Sequence, residues 1–409
     1  MEANVERIAK HIEALSKFTS TPGEGVTRLS YSKEDLGARA YIKEQMETYG
    51  LLVYEDGMGN VFGKLPGRGT DLPSVIIGSH FDSVPNGGAY DGAAGVVAGL
   101  EVAALFQEHA ITPEHPLEVI AMVEEEGTRF GSGLMGSRGI VGNLTEEYLN
   151  KTTDNDGISI REAMTHAGVN TEVPRKRDPK TIKAFLEMHI EQGPVLEEAK
   201  VPIGIVEGIV GLAQLEVTIE GKAGHAGTTP MEKRKDAMVT AGKMVGQLPE
   251  LAIDEGYGTV ITTGKLQVYP NGANVIPNKV VFTVDIRAGE EQQVLNVIDK
   301  TKTLIQAHSV NGMKIHVEEQ LYIQPKALDL SIKHLLEETS KTHNITYLNM
   351  NSGAGHDAMV LSDVTPTGLL FIPSLNGLSH CPEEYSEPAD IAKSVDILYT
   401  AIKELVLGK

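Results

Sequence analysis

The chain has one cysteine, Cys381, among its 409 residues. An intramolecular disulfide is therefore excluded, and a lone thiol fits a reducing, cytoplasmic setting. No run of 18 apolar residues occurs, which excludes a membrane-spanning helix of ordinary length. Positive charge is scarce: 36 Lys and Arg face 56 Asp and Glu, a formal net charge of −20. Nucleic acid is not expected as a partner, because phosphate binding needs basic patches. The first residues show an amphipathic pattern (Val5, Ile8, Ile12, Leu15) in place of a basic region followed by an apolar one, so no secretory signal is expected. What remains is an ordinary globular composition, long enough for two domains and for a core that needs no cross-links.

The apolar pattern predicts strands alternating with helices over the first part of the chain. A helix is expected over 33–49, two short strands over 53–65, buried strands at 75–77 and 117–123, a buried helix over 96–106, and a further strand over 184–190. Such alternation predicts an α/β domain with a mixed, largely parallel sheet flanked by helices. From about Gly211 the pattern changes. Strands over 215–220, 259–268, 279–287 and 314–319 and helices over 231–248 and 290–308 give the order β-α-β-β-α-β, a ferredoxin-like α+β unit complete in itself. Helices over 328–342 and 391–407 and an apolar strand over 368–372 then return to the first sheet. The expected division is a domain of 1–210 plus 328–409 with an inserted domain of 211–327.

Chemistry concentrates at predicted strand ends, where sites in parallel sheets gather. The stretch GSHFDSVPNGGAYDGAAG follows the 75–77 strand. It holds His80 and Asp91, with glycines at 87, 88, 92 and 95 that allow a tight return toward His80. Asp82, two residues on, is placed to accept the other ring N–H of a ligating His80. Glu124, Glu125 and Glu126 end the next strand. Like charges in a row are ordinarily a solvated turn, unless a cation holds one carboxylate and another serves as a base. His189 lies at the end of its strand and His380 in a glycine-containing loop; singly, each reads as a structural histidine. His225 sits in GKAGHAGTTP and Asn274 in GANVIPN. Arg287 shares the polar face of its strand with Asp285 and Thr283, where a guanidinium can receive a carboxylate bidentately. Gly131-Ser132-Gly133-Leu134-Met135-Gly136 matches a dinucleotide fingerprint only in form, because the glutamate run and Thr128-Arg129-Phe130 separate it from the strand.

Taken in order, His80-Phe81-Asp82, Asp91-Gly92, Glu125-Glu126-Gly127, His189 and His380 resemble the di-metal aminoacylase/carboxypeptidase superfamily. EEEGTRFGSGLMGSR, EMHIEQGPVLE, GKAGHAGTTPM and SGAGHDAM resemble its amidase branch, which holds N-carbamoyl-L-amino-acid hydrolases, allantoate amidohydrolases and β-ureidopropionases. The resemblance covers almost the whole chain. It implies that Asp91 bridges two divalent ions, that His80 and His189 complete one ion's ligands, and that Glu126 and His380 complete the other's. It implies Zn²⁺ first, with Mn²⁺, Co²⁺ or Ni²⁺ also accommodated by three histidines and carboxylates. Asp82 would orient His80, and Glu125 would be the general base and acid. His225 of the partner subunit in a homodimer would polarise the scissile carbonyl. Gln192, Asn274 and Arg287 would hold the substrate, with His356 beside the pocket. The inserted domain would be a lid and dimer interface. The implied reaction is hydrolysis of the ureido C–N bond of N-carbamoyl-L-amino acids to ammonia, CO₂ and the L-amino acid. Allantoate or β-ureidopropionate are the alternative substrates, and an inactive ligand-binding protein of the same fold is the alternative of a different class.

Overall fold

The computed structural model describes every residue except Met1, Thr70, Tyr257, 309–311 and Lys409. The described residues divide into two compact units. One comprises Met1–Glu207, Leu328–Met350 and His356–Lys409; the other comprises Gly208–Ala327 and Asn351–Gly355.

The first unit is built on a mixed sheet. Its strands lie side by side in the order Leu52–Glu55, Val61–Leu65, Leu117–Met122, Ser74–His80, Ile182–Ile190, Thr367–Ile372 and Ile203–Ile209. The four from Leu117–Met122 to Thr367–Ile372 run parallel, and antiparallel strands flank them on both sides. Ser74–His80 and Leu117–Met122 are buried along their whole length. That is why both read as continuous apolar runs and not as alternating ones. Helix Ala93–Glu108 is buried over Ala93–Phe106 and packs with Val5–Ser16 and Pro388–Leu407. Its small residues bring it close to the sheet: a Cβ at Gly95 would come within 2.3 Å of the Met188 carbonyl.

The second unit has a wholly antiparallel sheet. Leu266–Tyr269 and Val260–Thr262 both pair with Lys279–Ala288, which pairs with Gly211–Glu220, which pairs with Lys314–Ile323. This is the ferredoxin-like strand order. Residues alternate strictly along Gly211–Glu220 and Lys279–Ala288. Leu215, Val217, Ile219, Val280, Phe282, Val284 and Ile286 form a core with Val294, Val297 and Ile298 of helix Glu291–Ala307.

Two elements of this unit differ from the sequence expectation. The helix expected over 231–248 is a single 3₁₀ turn, Met231–Lys233, followed by two helices, Ala237–Val245 and Leu248–Glu255. Asp236 starts the first of these by accepting from the Met238 and Val239 amides, and Gly246 and Pro249 separate it from the second. The strand expected over 259–268 is interrupted at Gly264, where the chain leaves the ladder for three residues.

Candidate metal centre

Four chain segments meet at the carboxyl ends of the parallel strands. The His80 ring nitrogen Nε2 lies 3.5 Å from Asp91 Oδ1, and His189 Nε2 lies 3.0 Å from the same oxygen. The other Asp91 oxygen, Oδ2, is 3.1 Å from His380 Nε2, which in turn is 3.6 Å from Glu126 Oε2. Two triads result, His80/Asp91/His189 and Asp91/Glu126/His380, each with ligand atoms within 4.8 Å of one another and sharing Asp91. All three imidazoles present Nε2. His189 turns Nδ1 to the Ile190 carbonyl at 2.9 Å, and His80 turns Nδ1 to the Asp82 carbonyl at 3.2 Å and Asp82 Oδ1 at 3.5 Å. With Nδ1–H of His80 and His189 donating outward, Nε2 is the atom each offers to the cluster.

Local sequence explains the convergence. Gly92, at φ 61°, closes the turn after Asp91, and a Cβ there would sit 2.3 Å from the His80 ring. No other residue lets the Asp91 loop approach His80 so closely. The glutamate run divides its work. Glu124 takes a left-handed φ of 52° and turns inward, where its carboxylate accepts from the Phe130 amide. Burial, with Asp82 nearby, pushes Glu124 up to about 8. Asp82 accepts from the Glu125 amide on one oxygen at 3.1 Å and from the Glu126 amide on the other at 3.2 Å. One carboxylate thus touches His80 and fixes the backbone of both glutamates.

The electrostatics are those of a cation site. Burial pushes Glu125 well above the usual carboxylate range, and Asp357, Glu126 and Asp82 add to the rise. Glu126 is pushed up to about 7 by burial and by Asp91. Burial also acts to raise Asp91, but hydrogen bonds from His189, His380 and His80 hold it well below its ordinary value. His380 is raised to about 9, first by its bond to Asp91. Glu126 Oε1 is buried with no hydrogen-bond partner. Among the described residues, Asp91, Glu125 and Glu126 have no arginine or lysine as an ion-pair partner; with an orphaned oxygen and three imidazole Nε2 atoms turned inward, whose protons a cation can replace, they fit a pair of divalent ions.

Glu125 Oε2 stands 3.8 Å from His80 Nε2, beside the triads but in neither of them. The Gln192 amide donates to Asp91 Oδ2 at 3.0 Å. His356 is buried with its ring centroid 4.5 Å from that of His189, and burial and His189 lower it well below its ordinary range. In the second unit, His225 and Asn274 are neighbours: Gly224–His225 pairs with Val275–Ile276, and the Ala226 amide donates to the Asn274 carbonyl. His225 is therefore on a short ladder and not in an unstructured loop. Arg287 is held by Asp285 at 2.9 Å and by the Gly353 carbonyl at 2.8 Å.

Sequence reasoning missed three carboxylates around the centre. Glu187 accepts from Ser79 and from the Ala358 amide, Asp357 accepts from Ser137, and Glu384 accepts from the loops of Asp91 and His380. Glu187 and Asp357 lie inside motifs that were singled out for their histidines. Glu384, in Pro382-Glu383-Glu384, reads as a solvated charge.

A largely parallel α/β unit carrying two acid/histidine triads at its strand ends defines a divalent-metal hydrolase. The chain belongs to Peptidase family M20/M25/M40, whose model matches residues 76–404. Among its relatives, an N-carbamoyl-L-amino-acid amidohydrolase of Paenarthrobacter aurescens is 40% identical over 99% of this chain and 98% of its own length. An allantoate amidohydrolase of Bacillus subtilis strain 168 is 35% identical over 98% of this chain and 96% of its own. A crystal structure of an amidase of the hydantoinase/carbamoylase family from Burkholderia multivorans superposes with a TM-score of 0.94 at 34% identity, covering 99% of this chain and 98% of that one. No helix among the described residues is long and apolar enough to cross a membrane.

Proposed function

We propose that the protein hydrolyses the ureido C–N bond of N-carbamoyl-L-amino acids, releasing ammonia, CO₂ and the L-amino acid. The observation that carries this reading is the pair of triads sharing Asp91, with Glu125 set beside them and outside both. The 40% identity to an N-carbamoyl-L-amino-acid amidohydrolase over nearly the whole chain supports the substrate class.

His80, Asp91 and His189 would hold one ion, and Asp91, Glu126 and His380 the other, with Zn²⁺ the first choice for this donor set. Bound there, the two ions supply Lewis acidity, which acidifies water and polarises a carbonyl. That help matters because a ureido carbonyl is a poor electrophile, deactivated by two nitrogens. Glu125 takes the proton of the attacking water and returns it to the leaving nitrogen, which contributes about 10²–10⁴-fold. Its surroundings already favour proton uptake, which suits a base that must also act as acid. Asp82 keeps His80 aimed and holds the Glu125 and Glu126 backbones still. Arg287 receives the substrate carboxylate, exchanging Asp285 for it, with Asn274 and Gln192 on the ureido group and His356 beside them. His225 of the partner subunit donates to the developing oxyanion. On this reading the second unit is both lid and dimer surface, and the protein works as a homodimer.

Allantoate is the second candidate substrate, favoured by the 35% identity to an allantoate amidohydrolase; N-carbamoyl-β-alanine is the third. Ammonia release from N-carbamoyl-L-methionine, allantoate and N-carbamoyl-β-alanine, each with Zn²⁺, Mn²⁺ or Co²⁺ restored to chelated enzyme, tests the proposal. The carbamoyl amino acid should be the best substrate. Faster turnover of allantoate would transfer the assignment to it, and full activity after chelation would overturn the metal-dependent reading altogether.

A further inference from the structure

The two triads are built differently. His80 and His189 come from the ends of neighbouring buried strands, so the placing of these two histidines is set by the sheet itself. His380 has no such support. It lies in a loop, its side chain is 50% exposed, and its backbone is left-handed at φ 57°, a conformation costly for a residue with a Cβ. Something other than secondary structure must hold it against Asp91.

Glu384 is in position to do so. Its side chain is buried, and each carboxylate oxygen serves a different loop. Oε1 accepts from the Tyr90 and Asp91 amides, both at 3.0 Å. Oε2 accepts from the Ser379 hydroxyl at 2.8 Å and from the His380 amide at 3.3 Å. The Ser379 oxygen also lies 3.3 Å from Asp91 Oδ2, so its one proton is shared between the two carboxylates, mainly with Glu384. Room for the carboxylate is made by Gly88, where a Cβ would fall 2.1 Å from Glu384 Oε1. Four donors on one buried carboxylate join the segment carrying the shared aspartate to the segment carrying the exposed histidine.

We infer that Glu384 is a positioning residue: it sets the Asp91–His380 spacing and thereby makes the Asp91/Glu126/His380 triad a separate, high-affinity cation site. The inference rests on the two-ion reading above. It predicts selectivity of degree, because Glu384 holds His380 and Asp91 together, whereas the strands place His80 and His189, and Asp91 keeps the Gly92 turn against His80 without it. Glutamine is the informative replacement. It keeps the size of the side chain but offers one oxygen and one NH₂ to two sets of donors, so one loop must meet a donor with a donor.

The test is Mn²⁺ titration of metal-free wild type and Glu384→Gln by calorimetry, with electron paramagnetic resonance to detect coupled ion pairs and thermal melting of both metal-free proteins. Wild type should take two Mn²⁺ per chain and show a coupled pair. E384Q should bind the second ion at least tenfold more weakly, lose much less affinity for the first, and lose the coupled signal at stoichiometric metal. Two ions bound by E384Q as tightly as by wild type, whether or not its melting point falls, would overturn the inference and leave the two-ion reading standing. Fewer than two ions in wild type would overturn that reading itself. Should E384Q not fold, Ser379→Ala decides. It removes one of the four donors and leaves the carboxylate in place, so the second ion should weaken several-fold and the first by less. An unaltered second step would count against Glu384 in the same way.

Discussion

The two ends of one sheet treat buried carboxylates in opposite ways. At the amino ends of the parallel strands, Glu118 is buried but answered: Arg177 contacts it at 2.6 and 3.1 Å, Ser74 at 2.7 Å and Tyr54 at 3.0 Å. The same solution recurs in the first unit, where Arg7 meets Glu101 at 2.6 Å and Arg39 meets Asp35 at 2.9 Å. At the carboxyl ends, the ion-pair partners of Asp91, Glu125 and Glu126 are histidines, whose charge is a proton that a cation can displace. A carboxylate paired with a guanidinium is complete, and its site has no use for an ion. A group of carboxylates and imidazoles is complete only while the imidazoles hold their protons, because burying carboxylates without a counter-charge is expensive, and a cation can take the protons' place. The difference separates a structural cluster from a site for cations more sharply than burial does.

The comparison can be broken in several places, with effects of graded size. The largest belongs to Glu125. In Glu125→Gln, turnover should fall by about 10²-fold or more while metal content stays at the wild-type level; inductively coupled plasma analysis beside the ammonia assay reads both. At the other end of the sheet, Arg177→Ala leaves Glu118 buried with only Lys64 at 3.7 Å for charge, and should cost about 3 kcal/mol of stability. Chemical denaturation measures that loss, and turnover per folded molecule should be unchanged because the change lies away from the metal ligands.

A smaller effect concerns a buried group with no counter-charge at all. His11 is hydrogen-bonded through its two ring nitrogens to Tyr41 and Tyr49, and burial, with Arg7 nearby, lowers it to about 4 from 6.5. The unfolded chain therefore takes up a proton between these values and the folded chain does not. Stability from this residue is complete above pH 6.5 and is lost as pH falls toward 4. Melting curves from pH 7.5 to 4.5 should show a shallower acid-side decline in His11→Phe than in wild type. The smallest effect is expected from Ser74→Ala, which removes one of the hydrogen bonds on Glu118 and leaves its arginine, a loss of about 1.5 kcal/mol by denaturation.

Much of this was legible in the sequence, for identifiable reasons. Strand ends are marked by where apolar runs stop, so His80, Glu125, Glu126 and His189 could be grouped before any coordinates. The alternation along Lys279–Ala288 placed Arg287 on the face it shares with Asp285. What escaped were features decided by distant segments. Glu384 looks like surface charge until Tyr90 and Asp91 arrive to donate to it. Glu124 is indistinguishable from its two neighbours until the backbone takes a left-handed turn and sends it inward. The break at Asp236 was a local signal, an N-cap between the charged run 232–235 and an apolar stretch, that the helix expected over 231–248 ran through.

The chain path also limits how the protein can be dissected. The backbone passes between the two units four times, at residues 207–208, 327–328, 350–351 and 355–356. The last two passages enclose Asn351–Gly355, whose Ser352 carbonyl accepts from Val210 and whose Gly353 carbonyl accepts from Arg287. Joining 207 directly to 328 would delete those donors and strand the five residues, so the first unit cannot be obtained intact by a single excision.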